Sequence, residues 1–385
     1  MPAKVVDTLK NIVVESFPFL DLKAQYQTIK TDIDAAIQRV MASQQFILGP
    51  EVESLERELA AHLKVEHAIA CASGSDALLL ALMALEVGPG DEVITTPFTF
   101  VATAGAVARL GARPVFVDID PDTYNIHPAR VSDAITDRTK AMIPVHLFGV
   151  AADMNAIMEV AKARGIPVVE DAAQAIGSTY AGQVVGSIGL CGCFSFFPSK
   201  NLGGAGDGGM LVTNDNLFAD RLRVLHTHGG RTKYEYEIIG INSRLDALQA
   251  AILRVKLKHL DSWAAGRVGR AERYAKLFHE TGLDDVVTLP KVPDKCTHVY
   301  HQYVIRAPKR DQLKAHLREC GVPSEIYYPL PLHLQRAFAY LGYKAGDFPE
   351  SERASQEVLA LPVFPEMSDQ QQDRVVDSIA AFYRN

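Results

Sequence analysis

The stretch Cys193–Thr213, CFSFFPSKNLGGAGDGGMLVT, limits the possible folds and functions more than any other part of the chain. An aromatic run ends at Pro198, Lys200 follows, and five glycines then lead into a second apolar run, Met210–Val212. This order predicts a strand, a break, a loop that other backbone can approach closely, and another strand. A lysine among apolar groups loses solvation of its charged form, so its pKa falls and its amine becomes a nucleophile. Lys200 is therefore a candidate Schiff-base lysine.

Two other interpretations of this stretch need weighing. Most lysines beside glycines lie in flexible surface loops, but the flanking aromatic residues favour an enclosed amine here. Gly204, Gly206 and Gly209 also match the G-x-G-x-x-G motif of dinucleotide-binding folds, which should open a helix. Met210–Thr213 has the composition of a strand instead, so we reject a nicotinamide site.

The bulk composition describes an ordinary globular protein. The chain has 385 residues, which predicts one large domain and a smaller one. A net charge of −7 argues against nucleic-acid and membrane partners. Five scattered cysteines lack the spacing of a disulfide framework or a zinc site and favour a reducing cytoplasm. The first residues have no signal-peptide pattern, and no apolar run reaches the roughly 18 residues of a membrane span.

Short apolar runs alternate with helical stretches from about residue 50 to residue 213. The runs have the sequences HAIAC (67–71), EVITT (92–96), PVFVD (114–118), AMIPV (141–145) and IPVVED (166–171). Runs without polar alternation, separated by helices, predict a mostly parallel sheet covered on both faces. Ligands of such sheets bind beyond the carboxyl ends of the strands, so the residues that follow each run are the candidates for a site.

Several groups follow these runs, and each has an ordinary structural explanation when taken singly. Ser73–Asp76 could bind an anion or simply cap a helix. Phe100 could cover a flat ring or fill the core. Asp171 and Gln174 could hold a heterocycle from one helical face, or Asp171 could be an N-cap. Taken together with Lys200, they supply the phosphate anchor, ring stack, pyridinium partner and Schiff base that pyridoxal phosphate requires.

The chain resembles the DegT/DnrJ/EryC1/StrS family of pyridoxal-phosphate-dependent sugar aminotransferases from about Phe19 to its C-terminus. The motifs that carry the resemblance are SGSDAL (73–78), GPGDEVI (88–94), TFVAT (99–103), KAMIPVHLFG (140–149), EDAAQAIGSTY (170–180), FSFFPSKNLGG (194–204), NSRLDALQAAIL (242–253) and YPLPLHLQ (328–335). The resemblance implies the type I aminotransferase fold, a mostly parallel seven-stranded sheet domain followed by a small C-terminal α+β domain. We accordingly expect an N-terminal arm (1–18), a large cofactor-binding domain (19–260) and a small domain (261–385).

The resemblance also implies a role for individual residues. Lys200 would be the catalytic lysine that forms the Schiff base, and Tyr327 and Tyr328 would face the sugar nucleotide. The cofactor contacts would include Asp171 on the pyridine nitrogen, Gln174 on the phenolic oxygen, Phe100 on the ring, and Gly74, Ser75 and Ser195 on the phosphate. A homodimer partner would complete each site with Asn242 and Arg244.

The expected reaction transfers an amino group from L-glutamate to a keto group of a UDP- or dTDP-linked hexose. Some relatives have histidine at position 200 and dehydrate the sugar, so Lys200 favours transfer of an amine over dehydration. The sequence NSRLD at 242–246 is more similar to members that act on 3-keto sugars, which leaves a 4-keto sugar as the alternative. A non-catalytic regulator on the same fold is a further alternative.

The C-terminal part predicts several further elements. We expect helices at 242–258, 263–280, 311–320, 351–360 and 369–382, and strands at 301–307 and 325–328. Residues 229–240 are polar and begin with glycine, which suggests a flap over the substrate with Arg231 and Lys233 near a diphosphate. His298 and His301 resemble a metal pair but lack a third ligand, so we expect no metal site.

Overall fold

The computed structural model describes residues 16–384. The predicted arm lies outside this range except for Ser16–Pro18. The helices are α1 (Leu22–Ser43), α2 (Pro50–Leu63), α3 (Gly74–Ala84), α4 (Ala102–Arg109), α5 (Pro128–Val131), α6 (Met154–Arg164), α7 (Asn216–Leu225), α8 (Ala247–Leu257), α9 (Leu260–Glu280), α10 (Arg310–Glu319), α11 (Pro349–Glu357) and α12 (Asp369–Arg384). The strands are β1 (His67–Cys71), β2 (Glu92–Thr95), β3 (Arg113–Phe116), β4 (Thr139–Met142), β5 (Val169–Asp171), β6 (Thr179–Tyr180), β7 (Gln183–Val184), β8 (Cys191–Ser195), β9 (Gly209–Thr213), β10 (Tyr303–Arg306) and β11 (Val358–Leu361).

The central sheet has the order β3-β2-β4-β5-β8-β9-β1. Four strands are paired as β1-β9-β8-β5 and three as β3-β2-β4. Single parallel bridges, Met142 to Val168 and Val145 to Asp171, connect the two groups. Strand β9 runs antiparallel to both of its neighbours, whereas the pairs β2-β3, β2-β4 and β5-β8 are parallel. The predicted seven-stranded, mostly parallel sheet is confirmed.

The sheet is apolar because helices cover both of its faces. Along β1, Ala68 and Ala70 belong to the core under α2 and α6, whereas Ile69 and Cys71 belong to the core under α3 and α7. Helix α2 turns its predicted apolar face, Val52, Leu55, Leu59 and Leu63, towards the first of these cores. A strand buried on both faces cannot show polar alternation, which explains the continuous apolar runs.

The C-terminal part packs around a separate apolar core. Strands β10 and β11 pair antiparallel, and α9, α10 and α12 supply most of the other buried side chains. Two predictions were wrong here. Val358–Leu361 is a strand and not the end of a helix, and residues 325–328 form no strand, since Glu325 makes only a single bridge to Ala360. The predicted domain boundary falls at the start of α9, and the division into domains remains a prediction.

Two predicted helix starts were also wrong. Helix α8 begins at Ala247, where the Asp246 side chain accepts a hydrogen bond from the Gln249 amide. Residues 242–246 are therefore extended. No helix follows Asp171, because the chain turns at once, with Ala175 N–H donating to the Ala172 carbonyl. Asp171 is consequently not an N-cap, and Gln174 reaches its position through turns.

Candidate active site

Lys200 lies just after β8, in a turn where its N–H donates to the Phe197 carbonyl at 2.8 Å. Part of the residue remains accessible. Within residues 16–384 its Nζ has no hydrogen-bond or ion-pair partner. Desolvation lowers the pKa of Lys200 to about 8, while the nearby negative charge of Asp171 opposes this shift. The predicted amine nucleophile is therefore available close to neutral pH.

The glycines after Lys200 allow other parts of the chain to approach the loop closely. A Cβ on Gly203 would lie 2.3 Å from the Pro198 carbonyl oxygen. Helix α8 fixes the loop from the other side, since Ala205 N–H donates to Gln249 Oε1 at 2.7 Å and Lys256 Nζ donates to the Gly203 carbonyl at 2.6 Å. These glycines lead into β9 and not into a helix, as the sequence predicted. They shape the loop that carries Lys200.

Asp171 is buried at the carboxyl end of β5. Its Oδ2 accepts a hydrogen bond from Thr103 Oγ1 at 2.8 Å, and its Oδ1 accepts one from the Ala173 N–H at 3.2 Å. Burial raises the pKa of Asp171, whereas these two hydrogen bonds and the charge of Lys200 act in the opposite direction. The carboxylate is thus oriented by neutral donors, and a cation beside it would stabilise its charged form.

Gln174 has both ends of its amide engaged. Its Oε1 accepts a hydrogen bond from the Phe148 N–H at 2.8 Å, and its Nε2 donates to Tyr328 Oη at 3.1 Å. The backbone N–H can only donate, so the orientation of the amide is determined. Sequence reasoning placed Gln174 and Tyr328 at the site but gave no sign of this direct contact.

Gly74, followed by Ser75 in the chain, lies against Ser195 where the N-terminus of α3 approaches the end of β8. Ser73 Oγ accepts a hydrogen bond from the Asp76 N–H at 3.1 Å, which caps the helix. A Cβ on Gly74 would lie 2.7 Å from the Ser195 Cβ. Gly74 is buried and Ser75 is exposed. The unpaired N–H groups at this helix terminus can bind an anion beside two hydroxyl groups.

Asn242 and Arg244 flank a buried residue that ties them to α3. Ser243 Oγ donates to Asp76 Oδ2 at 2.8 Å and accepts from the Ala72 N–H at 3.1 Å. Asn242 is exposed and Arg244 is partly exposed. Both residues are therefore held near the N-terminus of α3, and neither is buried in this chain. The tie through Ser243 was missed from the sequence.

The aromatic residues near the site divide into buried and exposed groups. Phe98 is fully buried and packs edge-on against Tyr328 at 6.0 Å, so it belongs to the core. Phe100 is 55% exposed and remains available to a flat ligand. Tyr327 lies edge-on between Phe19 at 6.5 Å and Tyr328 at 5.9 Å.

A buried carboxylate–imidazole pair lies next to Asp171 and was missed as a pair by sequence reasoning. His146 Nε2 lies 2.9 Å from Glu170 Oε2, and both side chains are completely buried. His146 Nδ1 accepts a hydrogen bond from the Ala152 N–H, so Nε2 is the nitrogen that donates to Glu170. The interpretation of His146 as a structural histidine is consistent with these contacts.

His298, one of the two histidines that resemble a metal pair in the sequence, packs against an aromatic ring. His298 stacks on Tyr300 at 3.9 Å, and burial lowers the pKa of His298 to about 3. Residues 16–384 contain no group of three potential metal ligands.

In the predicted flap, Arg231 pairs with Asp220 and Glu237 of the same chain, so its charge is already partnered. No helix in the described range is long and apolar enough to cross a bilayer.

Comparison with known proteins identifies relatives along nearly the whole chain. A "Pleiotropic regulatory protein" of Geobacillus stearothermophilus is 55% identical over 368 residues, which are 96% of this chain and 99% of that protein. A UDP-N-acetyl-3-dehydro-alpha-D-glucosamine 3-aminotransferase of Acidithiobacillus ferrooxidans is 47% identical over 94% of this chain and 97% of its own length.

A solved structure, that of DesV from S. venezuelae in complex with a ketimine intermediate, has a TM-score of 0.93 and 43% identity. The match covers 96% of this chain and 99% of that one. The family model for DegT/DnrJ/EryC1/StrS aminotransferases matches residues 27–380. The chain therefore belongs to the DegT/DnrJ/EryC1/StrS aminotransferase family.

Proposed function

We propose that the chain is a pyridoxal-phosphate-dependent aminotransferase that moves an amino group from L-glutamate to the C3 keto group of a nucleotide-linked hexose. The observation that carries this proposal is the desolvated amine of Lys200, with a pKa of about 8, in the electrostatic field of the buried Asp171. A lysine of this kind, beside a carboxylate held by two neutral donors, has the properties that a Schiff-base enzyme needs.

The residues of the site fit the shape and charge of pyridoxal phosphate. The N-terminus of α3 and Ser195 suit its phosphate, and the missing side chain of Gly74 gives the room for it, since a Cβ there would meet Ser195 at 2.7 Å. The buried carboxylate of Asp171 suits a protonated ring nitrogen. The amide of Gln174 suits the ring oxygen, and the exposed ring of Phe100 suits the flat face.

Pyridoxal phosphate, when bound, supplies an aldehyde that condenses with amines and a ring that accepts the electron pair released at the amine-bearing carbon. The chain supplies the other parts of the reaction. Asp171, oriented by Thr103 and the Ala173 amide, would stabilise positive charge on the ring nitrogen. The neutral amine of Lys200 would act as the base that takes a proton from the substrate carbon and returns it.

The two half-reactions share one site, so glutamate must leave as its keto acid before the sugar enters. Ping-pong kinetics follow from this order. The Acidithiobacillus relative is named as a 3-aminotransferase, and a Streptomyces venezuelae relative with 44% identity is named dTDP-3-amino-3,4,6-trideoxy-alpha-D-glucose transaminase. Together with the NSRLD sequence, these names support C3 as the position that receives the amine, with a 4-keto sugar as the alternative.

Two other functions on this fold are less well supported. Dehydration of a sugar at C3 is associated with histidine at position 200, where this chain has lysine. The relative named as a regulatory protein gives a motive for a non-catalytic regulator. A regulator has no need of a lysine amine with a pKa close to neutral, and turnover separates the two functions.

We further propose that the enzyme is a cytoplasmic homodimer in which Asn242 and Arg244 act in the partner's site. The five free cysteines support a reducing compartment. Ser243, which lies between Asn242 and Arg244, is fully buried, whereas Asn242 is exposed and Arg244 is partly exposed. This difference supports the proposal that the two flanking side chains reach out of their own subunit. The nucleotide sugar would enter beside Tyr327 and Tyr328.

Turnover with glutamate and a panel of 3-keto and 4-keto UDP and dTDP sugars tests the reaction. The product, identified by mass spectrometry and NMR, should carry its amine at C3 and should not form with Lys200→Ala. Borohydride should also fix the cofactor to Lys200, as detected by peptide mapping. A sugar product without consumption of glutamate would indicate the dehydratase. Bound cofactor without turnover on any sugar of the panel would favour the regulator.

Mixing two inactive variants tests the shared site. Lys200→Ala and Arg244→Ala subunits are each defective alone, but a mixed dimer contains one site with both native residues if Arg244 acts in the partner's site. Activity should therefore reappear on mixing. If Arg244 acts within its own subunit, every site keeps a defect and the mixture stays inactive.

A further inference from the structure

Tyr328 contacts Gln174 directly, and this contact is separate from any contact that Tyr328 makes with the sugar. Gln174 has one acceptor and two N–H donors on its amide. Its Oε1 is occupied by the Phe148 N–H, and one of its donors is directed to Tyr328 Oη. The second N–H is then the remaining donor of the amide for a ligand that accepts a hydrogen bond. The direction of this N–H depends on how the contacts with Phe148 and Tyr328 orient the amide.

The ring of Tyr328 is fixed by packing on more than one side. It lies edge-on to the fully buried Phe98 at 6.0 Å and edge-on to Tyr327 at 5.9 Å. Tyr327 in turn packs against Phe19, which precedes α1 in the chain. These contacts involve the ring and not the hydroxyl group, so phenylalanine at position 328 would preserve them.

The hydroxyl group of Tyr328 is neutral in this environment. Burial raises its pKa, with smaller effects in the same direction from the charges of Asp171 and Tyr327, while the hydrogen bond from Gln174 acts in the opposite direction. A neutral phenol can accept the Gln174 N–H and still donate its own proton. It is therefore a fixed partner for the amide at the pH at which the enzyme works.

On this geometry, and resting on the proposed function, we infer that Tyr328 is a positioning residue for the cofactor and acts through Gln174. The Tyr328 hydroxyl and the Phe148 N–H hold the amide from two separate parts of the chain. The remaining Gln174 N–H is thereby held in one direction, and it would donate to the ring oxygen of pyridoxal phosphate. Tyr327 has no hydrogen bond to this amide and does not share the role.

A double-mutant cycle on cofactor affinity tests the inference. Apoenzymes of the wild type, Tyr328→Phe, Gln174→Ala and the double variant are titrated with pyridoxal phosphate, and binding is followed by the absorbance of the cofactor. Tyr328→Phe should weaken binding by about three- to tenfold, the effect of one hydrogen bond. In the Gln174→Ala background the same substitution should have no further effect. Tyr327→Phe is the matched control for cofactor binding, and its apoenzyme should keep the wild-type affinity for pyridoxal phosphate.

The outcomes separate this inference from the proposed function. Wild-type affinity in Tyr328→Phe, or an effect that adds in full to that of Gln174→Ala, would overturn the role through Gln174. A higher KM for the sugar with unchanged cofactor affinity would make Tyr328 a substrate contact only. Failure of the wild-type protein to bind pyridoxal phosphate would overturn the proposed function itself. Thermal unfolding of the four apoenzymes detects a general loss of stability, which would appear equally in both backgrounds.

Discussion

Thr103 Oγ1 donates a hydrogen bond of 2.8 Å to Asp171 Oδ2, and both side chains are buried. Thr103 has a single hydroxyl proton, so the neighbouring Thr99 hydroxyl at 3.0 Å must donate to Thr103 in turn. Thr99, just before α4, and Thr103, in its first turn, thus orient the carboxylate at the end of β5. This contact links the TFVAT and EDAAQ motifs, which lie far apart in the sequence.

Replacing Thr103 by valine should lower kcat/KM for glutamate by about 10- to 100-fold, because a hydrogen bond to a charged group contributes about 1.5–3 kcal/mol. Valine has the same shape but cannot donate to Asp171. Thr99→Val is the matched control and should have a much smaller effect, since Thr103 can still bind Asp171. Steady-state kinetics measures both. Equal losses in the two variants would contradict the specific role of Thr103.

The rate at which the apoenzyme takes up pyridoxal phosphate should fall as the pH decreases below about 8, the pKa of Lys200. Only the neutral amine attacks the aldehyde, so each pH unit below the pKa reduces the rate about tenfold. The charge of Asp171 raises the pKa of Lys200, so Asp171→Asn should move the midpoint to lower pH. Stopped-flow absorbance measures the midpoint. A midpoint near that of a free lysine, or one that rises in Asp171→Asn, would be inconsistent with the proposed environment.

Gly74→Ala should reduce the affinity for pyridoxal phosphate at least about tenfold, because a Cβ at this position would lie 2.7 Å from the Ser195 Cβ. Either Ser195 or the first turn of α3 must move, and both are proposed to bind the phosphate. Gly269→Ala in α9 is the matched control, since a Cβ there meets nothing within 4 Å. Titration of the apoenzymes compares the two. Normal cofactor affinity in Gly74→Ala would argue against a phosphate site at this helix terminus.

The stability of the folded protein should decrease between pH 6.5 and about 4 because of His226. Burial lowers the pKa of His226 to about 4. In the unfolded chain His226 binds a proton below about pH 6.5, whereas in the folded chain it does so only near pH 4. Its contribution to the free energy of unfolding is therefore fully present above about pH 6.5 and is lost as the pH falls towards 4. The loss is about 3 kcal/mol for a shift of this size.

Urea unfolding at about pH 7.5 and about pH 4.5 measures this dependence. His226→Gln should show a smaller difference in free energy of unfolding between the two conditions than the wild type does. His279→Gln, which changes an exposed histidine, should keep nearly the wild-type dependence. An equal pH dependence in the wild type and His226→Gln would contradict the prediction.

The mostly parallel sheet could be predicted from the apolar runs, because the strands are buried on both faces and leave no polar alternation. The C-terminal part was harder. The stretch Ser351–Leu361 has a composition that suits a helix throughout, but Val358–Leu361 pairs with Tyr303–Arg306, more than 50 residues earlier in the chain. A pairing of that kind decides the conformation, and a local pattern does not contain it.

The same limit applies to the site. The sequence singled out Lys200, Asp171 and Gln174 as candidates, because each follows an apolar run or a recognisable motif. The partners that orient them come from elsewhere. Thr103 belongs to α4, Tyr328 lies between α10 and α11, and Gln249 of α8 contacts the glycine loop. Such contacts depend on tertiary packing, so only the structure could identify them.

Glu170, the residue before Asp171, accepts hydrogen bonds from the N–H groups of Gly186, Ile188 and Gly189 and lies against His146 on the opposite face of the sheet. Side chains alternate along a strand, so a slip of one residue would turn Glu170 to the cofactor and bury Asp171 among these donors. The four contacts of Glu170 on its own face of the sheet thus prevent Glu170 and Asp171 from exchanging positions. Hydrogen bonds on the far face of the sheet thus determine which of the two carboxyl groups lies on the side of the proposed cofactor site.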